Sequence, residues 1–177
     1  MDAGALQEQF TGFVRAHQVW APVIVGALAF GESLAVVSIF VPATVLLLAI
    51  GALIGSAELA FWPIWFGAAV GAILGDWVSY EVGRYFEEGL KSRWPLNRSP
   101  QIVERAESFV QRYGAVGVFV GRFSGPLRAI VPLVAGIFEM PRLTFQIANV
   151  ASALAWAYLL LGAGDVFGEM GSKLLKP

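Results

Sequence analysis

Long apolar stretches broken by very few charges set the pattern of this chain. Between Arg15 and Glu58 the only formal charge is Glu32. At ~1.5 Å per residue a continuous helix here would exceed ~60 Å, about twice the ~30 Å hydrocarbon thickness of a bilayer, so the chain must turn back. Pro42 is the natural place, because proline removes a backbone donor and clashes with the preceding turn. The arm after it, Ala43 to Ser56, would be about 21 Å long as a helix, too short to cross. Residues 23–56 are therefore predicted to form a re-entrant hairpin with its tip near Pro42, sheltered by other protein because bare backbone cannot face lipid. Residues 59–82 differ. From Leu59 to Tyr80 the only charge is Asp76, and Trp62, Trp65, Trp77 and Tyr80 lie toward the two ends, as in a full span with interfacial anchors. Gly67, Gly71 and Gly75 recur every four residues, which predicts close approach of another helix, either within the chain or across a homodimer.

The remaining elements follow from the same alternation. Leu6, Phe10, Phe13 and Val14 fall at helical spacing and predict a short amphipathic helix over 3–18, lying in the membrane interface. From Arg84 to Arg112 the chain turns polar and holds six of its twelve Lys and Arg, which favours the cytoplasmic side for this segment. Ser99-Pro100 reads as a helix start, and Ile102, Ala106, Phe109 and Val110 form one apolar stripe, so 100–113 is predicted to be an amphipathic surface helix. Residues 114–138 are apolar again, with arms of only about 15–18 Å on either side of Gly125-Pro126, and predict a second re-entrant hairpin. Residues 142–164 form a second full span, with Gln146 and Asn149 as its polar exceptions. The tail from Asp165 is short and mixed in charge, with no further crossing expected.

Composition agrees with a single membrane domain over 1–177. The chain is 57% hydrophobic and 14% charged, with a mean hydropathy of +0.68, where a soluble domain would carry about 25% charge. A net charge of -1 argues against a nucleic-acid partner. No cysteine is present and His17 is the only histidine, so disulfides, thiolate catalysis and Cys- or His-cluster metal sites are excluded; no cofactor or metal is expected. The first residues include Asp2 and Glu8 rather than a basic region, so no cleaved signal peptide is expected.

Against this background two residues stand out. From Tyr113 to Phe138 the only charges are Arg122 and Arg128. An arginine at the bilayer centre costs at least ~3 kcal/mol, so both should face protein, water or an anion rather than lipid. The two halves also share a plan of hairpin followed by span, and in each hairpin a charge precedes a proline by ten residues, Glu32 to Pro42 and Arg122 to Pro132. That is the mark of an inverted repeat, whose broken helices meet at mid-membrane around a substrate. The fold class is therefore all-α membrane protein, with two re-entrant helical hairpins in an inverted-repeat plan, two full spans and amphipathic surface helices.

The run Gly121-Arg122-Phe123, Pro126, Arg128, Pro132 and Ala135-Gly136, followed by Met140, Phe145, Asn149 and Trp156, resembles the DedA family, also called SNARE-associated or VTT-domain membrane proteins. Phe30-Gly31-Glu32 with Pro42 resembles that family's first hairpin, and Gly75-Asp76 with Tyr80, Gly83 and Arg84 resembles its Gly-Asp motif; the resemblance runs from about residue 20 to 165. It implies facing hairpins in a bacterial cytoplasmic membrane and a role in moving lipid, either undecaprenyl phosphate or phospholipid, between leaflets. It also implies critical roles for Glu32, Arg122 and Arg128. Two departures are visible. Many members have an acid two residues after the first hairpin's proline, where this chain has Thr44, and many have one more C-terminal span.

The chemistry suits such a task. Arginine's planar fork matches phosphate oxygens bidentately and stays charged, which makes Arg122 and Arg128 the expected headgroup ligands. Glu32 and Asp76 are the candidate proton-coupling groups or counter-ions, with Asp76, near the end of its span, expected to bond to hairpin backbone or to Arg84; the structural alternative is that both arginines pair with Glu32 and Asp76 and lock the fold. Pro42, Thr44, Gly125, Pro126, Pro132, Gly136 and Asn149 are the expected tip and supporting residues. The partner is thus a membrane lipid, and the expected activity is transport, with proton coupling through Glu32. Competing readings are a non-specific scramblase, an ion channel or structural membrane protein, and a lipid phosphatase; the last wants a nucleophile or base, and His17 is a poor candidate.

Overall fold

A computed structural model describes residues 18–34, 43–57, 59–86, 100–124 and 127–174. Among them every regular element is helical: a 3-10 turn at Gln18–Trp20, then α1 (Ala21–Ser33), α2 (Ala43–Ala57), α3 (Phe61–Phe86), α4 (Pro100–Gly121), α5 (Leu127–Ile137) and α6 (Arg142–Leu174). The predicted helix over 3–18, except for Gln18, and the tip residues Pro42, Gly125 and Pro126 lie outside the described residues, as does the side chain of Thr44, whose backbone is in the first turn of α2.

Two helices are long and apolar enough to cross a membrane, Phe61–Tyr85 and Arg142–Gly168. They run antiparallel in contact. Trp65 Nε1 donates to the Leu154 carbonyl at 3.2 Å, Asn149 Nδ2 donates to the Ile73 carbonyl at 3.0 Å, and Tyr80 stacks on Phe145 with ring centroids 4.2 Å apart. Both helices outrun their expected ends. α3 continues past residue 82 to Phe86 because Glu81 and Arg84 find polar partners instead of stopping it. α6 continues past 164 because Gly164 and Gly168 pack against the backbone of Gly51 and Ala52 in α2, so these glycines serve close approach and not termination.

The glycine ladder on α3 is filled from within the chain. A methyl group placed on Gly67, Gly71 or Gly75 would lie 2.2, 2.0 or 2.6 Å from the carbonyl oxygens of Pro22, Gly26 and Phe30, so α1 rests backbone to backbone on this face. One turn pair further on, α5 uses the same helix, with Gly136 against the Tyr80 carbonyl. α2 lies against α6, and α4 lies against both α5 and α6. Each long helix therefore carries a short helix from each half of the chain.

Two local features set the boundaries. At Gly114 the backbone of α4 breaks, with φ 53° and ψ -127°, a conformation only glycine adopts readily, which separates an amphipathic segment from an apolar arm at the expected 113/114 junction. α5 ends in a Schellman turn: Glu139 takes the left-handed position at φ 52°, its N–H bonds to the Gly136 carbonyl at 2.9 Å, and the Met140 N–H bonds to the Ala135 carbonyl at 3.0 Å. The Met140 carbonyl in turn accepts the Tyr80 hydroxyl, tying that turn to α3.

The buried apolar residues form two clusters. One gathers Val25, Ala29, Leu47, Ile54, Ala68, Ala72, Ala153, Trp156 and Leu161; the other gathers Tyr80, Val118, Val131, Val134, Phe145 and Ala148. Along both α3 and α6 the buried polar residues, Asp76 and Ser79 on one and Asn149 and Ser152 on the other, fall in the gap between them.

Candidate functional site

The gap between the two apolar clusters is where the predicted charges meet. Glu32 is the penultimate residue of α1, Asp76 sits on α3, Arg122 lies just past the end of α4, and Arg128 is the second residue of α5. Glu32, Asp76, Arg122 and Asn149 are buried, at 5% exposure or less. Glycine is what lets them meet. The carbonyls of Pro22, Gly26 and Phe30 nest on the α3 glycines and bring the end of α1 against α3, where Ser79 Oγ donates to the Ser33 carbonyl at 3.1 Å.

Arg122 is held on several sides. Its Nη2 donates to the Asp76 carboxylate and, at 2.7 Å, to Asn149 Oδ1, while its Nε donates to Ser152 Oγ at 3.0 Å. The acceptors are themselves fixed. Asn149 turns its oxygen to the arginine because its Nδ2 donates to the Ile73 carbonyl and to Gln146 Oε1, and the Ser152 hydroxyl donates to the Asn149 carbonyl at 3.0 Å. Asp76 thus pairs with Arg122, as in the counter-ion reading, and not with hairpin backbone or Arg84. The cause is the length of α3: in the span Phe61–Tyr85, centred on residue 73, Asp76 is only about 4.5 Å past the middle. Arg84 instead donates to the Tyr80 hydroxyl at 3.2 Å and lies 3.9 Å from Glu139.

Arg128 is held differently. Its Nη1 donates to Glu32 Oε1 at 2.6 Å, and its guanidinium carbon lies 4.4 Å from the ring centroid of Trp156. This acid is the last-turn residue of a helix and this arginine is in the first turn of another, so each sits at the end of a helix dipole that disfavours it. Each therefore relies on its partner. On both arginines one terminal nitrogen, Arg122 Nη1 and Arg128 Nη2, is buried with no hydrogen-bond partner among the described residues.

Of the predicted supporting residues, Asn149 belongs to the cluster. Pro132 is buried inside α5, and Gly136 seats α5 on α3; both are scaffold. Sequence reasoning missed Ser152 and the place of Trp156. With Asn149 they form an i, i+3, i+7 row on α6, one helix face, and that spacing was the available signal.

Comparison with known proteins gives the family. Residues 41–166 match the family described as the VTT domain. The uncharacterized membrane protein BU139 of Buchnera aphidicola is 30% identical over 163 residues, covering 92% of this chain and 64% of its own. Inner membrane protein YabI of Escherichia coli is 36% identical over 152 residues, 85% of this chain and 59% of that protein. An uncharacterized membrane protein of Mycobacterium bovis is 36% identical over 140 residues, 76% of this chain and 63% of that one. The chain thus spans less than two thirds of the length of these relatives. No solved structure matches. A match over residues 41–166, with its membrane-protein relatives, places this chain in the VTT-domain, or DedA, family of membrane proteins.

Proposed function

We propose that this protein moves an anionic lipid, with a polyprenyl phosphate such as undecaprenyl phosphate as the best fit, between the leaflets of the bacterial cytoplasmic membrane. The observation that carries the proposal is the pair of buried guanidinium groups, each ion-paired to an acid from another helix and each with one terminal nitrogen that no described residue engages. A phosphate offers several in-plane acceptor oxygens to such nitrogens, and arginine keeps its charge throughout.

In this proposal α1 with α2, and the arm 115–121 with α5, are two re-entrant hairpins related as an inverted repeat. Three features support it. At ~1.5 Å per residue α1, α2 and α5 span about 20, 22 and 16 Å, all short of a ~30 Å hydrocarbon layer. The second helix of each pair packs on the long helix of the other half, α2 on α6 and α5 on α3. The end of α1 and the start of α5 meet through Glu32 and Arg128. The 84–112 segment then faces the cytoplasm.

Glu32 is the proposed coupling group. Its protonation would release Arg128 to the headgroup, and its deprotonation would reclaim the arginine and expel the lipid. A proton moved across the membrane supplies ~2.3 kcal/mol per 100 mV, enough to bias direction. No bond in the lipid breaks, so the activity is transport and not hydrolysis.

Proteoliposomes carrying a labelled polyprenyl phosphate in one leaflet test the proposal. Transfer of intact phosphomonoester, faster under an imposed pH gradient, supports it. Equal transfer of a zwitterionic phospholipid indicates a scramblase, release of free phosphate indicates a phosphatase, and no transfer by folded protein defeats lipid transport. A second reading, that both ion pairs only lock the fold, is favoured by the three acceptors that hold Arg122. Arg128→Lys separates the two: a lock tolerates the retained charge, whereas a bidentate phosphate ligand does not.

A further inference from the structure

Trp156 stands at the centre of the second long helix, one residue from the midpoint of Arg142–Gly168, and is 4% exposed. Around it in the same cluster are mostly small or aliphatic residues, Ala68, Ala72, Ala153, Ala157 and Leu161. The indole face is turned to the Arg128 guanidinium, with the carbon 4.4 Å from the ring centroid. Arg122, six residues earlier, has no such stacking partner among the described residues; its contacts run to Asp76, Asn149 and Ser152.

The geometry of a guanidinium gives this stack a particular consequence. Its hydrogen bonds leave in the plane of the group, whereas an aromatic ring engages its face. Glu32 and an incoming phosphate therefore compete for the same edge of Arg128, and Trp156 competes with neither. We propose that Trp156 is a positioning residue for headgroup binding: it keeps the Arg128 guanidinium flat and partly compensated while its edge passes from the Glu32 carboxylate to a lipid phosphate. This rests on the proposed function and adds to it the device that lets one arginine change partners inside an apolar core without swinging loose.

Isosteric fluorination of tryptophan tests it, because added fluorine drains the ring quadrupole while scarcely altering shape. The full chain is prepared with mono-, di- and trifluorotryptophan at its six tryptophans, in native and Trp156→Phe backgrounds, and transfer of labelled polyprenyl phosphate in proteoliposomes is measured against lipid concentration. The half-saturating concentration should climb with each fluorine, reaching about tenfold as the cation–π contact is lost, while the maximal rate changes little. In the Trp156→Phe background the same labels should have no graded effect, since the ring under Arg128 is no longer fluorinated. Trp156→Leu should resemble the most fluorinated native chain, and Trp156→Phe should lie between. If Trp156→Leu fails to fold, the fluorinated series still decides. Transfer that proceeds in the native chain with a half-saturation indifferent to fluorine content overturns this inference alone. Absence of any transfer by the folded native chain overturns the proposed function and this inference with it.

Discussion

Arg122 and Arg128 are the same side chain, six residues apart, one just past the end of α4 and one at the start of α5, yet the protein treats them differently. Arg122 meets one acid, one amide and one hydroxyl, and the amide and hydroxyl are oriented by further hydrogen bonds within α6 or to α3. Arg128 meets Glu32 and the face of Trp156. Its acid comes from α1, a short helix held to α3 by glycine contacts, and both members of the pair oppose the dipoles of their own helices. A group with many oriented partners is hard to move; a group with one in-plane partner and one facial partner can exchange the former and keep the latter. The first arrangement suits an anchor and the second suits a ligand that changes hands.

The largest expected effect lies at the anchor. Asp76→Ala leaves a buried guanidinium without its counter-charge, and breaking a buried pair in this way costs about 3–5 kcal/mol. Thermal unfolding in detergent should show a lower melting temperature and loss of monodisperse protein. Glu32→Gln also takes a counter-charge from a buried arginine but keeps an acceptor and the Trp156 face, so the melting temperature should fall less, while the response of transfer to a pH gradient is abolished. Equal destabilisation by the two changes would erase the distinction between the sites.

Next in size is the pair of lysine substitutions. Arg128→Lys keeps a charge but loses the fork, and one lost charge-assisted hydrogen bond is worth about 1.5–3 kcal/mol, so lipid transfer should fall at least about tenfold with little change in stability. Arg122→Lys should do the reverse in kind, lowering stability because no nitrogen of lysine can reproduce both the Ser152 and Asn149 contacts. A stability loss in the first variant and none in the second would exchange the two roles.

Much of this division was hidden from the sequence, for reasons that particular residues make plain. The apolar runs, the charge-free second span and the boundary between residues 113 and 114 were legible because each follows from local composition. The four ionisable groups were legible as outliers in apolar surroundings. That acids would pair with arginines was legible too, as the structural alternative; which acid takes which arginine was not. Asp76 looked terminal because Glu81 and Arg84 read as the end of a span, whereas each is satisfied by a residue distant in sequence or one turn away, Arg142 and Tyr80, so the helix runs on. Ser152 and Trp156 were hidden for the opposite reason: a serine and an aromatic are ordinary in a membrane helix, and only their row with Asn149 marks them. The glycine ladder told of a close neighbour, and its own spacing could not say that the neighbour was α1.

That ladder offers a change that reaches one site and spares the other. A methyl group at Gly71 would lie 2.0 Å from the Gly26 carbonyl oxygen, so Gly71→Ala must push α1 off α3. Overpacking of this kind costs about 1–3 kcal/mol. Because α1 carries Glu32 while Asp76, Asn149 and Ser152 lie on the long helices, the Glu32–Arg128 pair should loosen and the Arg122 set should hold. Transfer and its coupling to a pH gradient should fall more than stability does. Gly162→Ala is the control, since nothing lies within 4 Å of the position its methyl would take.

The smallest effect is expected where the same chemistry meets the surface. Arg142 engages Glu81 through two hydrogen bonds, Nε to Oε1 at 2.9 Å and Nη2 to Oε2 at 3.1 Å, a more complete fork than Arg128 makes with Glu32. If ideal geometry alone gave an ion pair its weight, this would be the strongest in the molecule. Its side chains are 63% and 37% exposed, against 11% and 6% for Arg128 and Glu32, so water and salt can replace either partner. Glu81→Gln should therefore leave both the melting temperature and lipid transfer at their native values. A clear loss of stability in that variant would mean that the pairing of charges, rather than their burial between two apolar clusters, sets the cost of disturbing them, and the contrast between Arg122 and Arg128 would then need another cause.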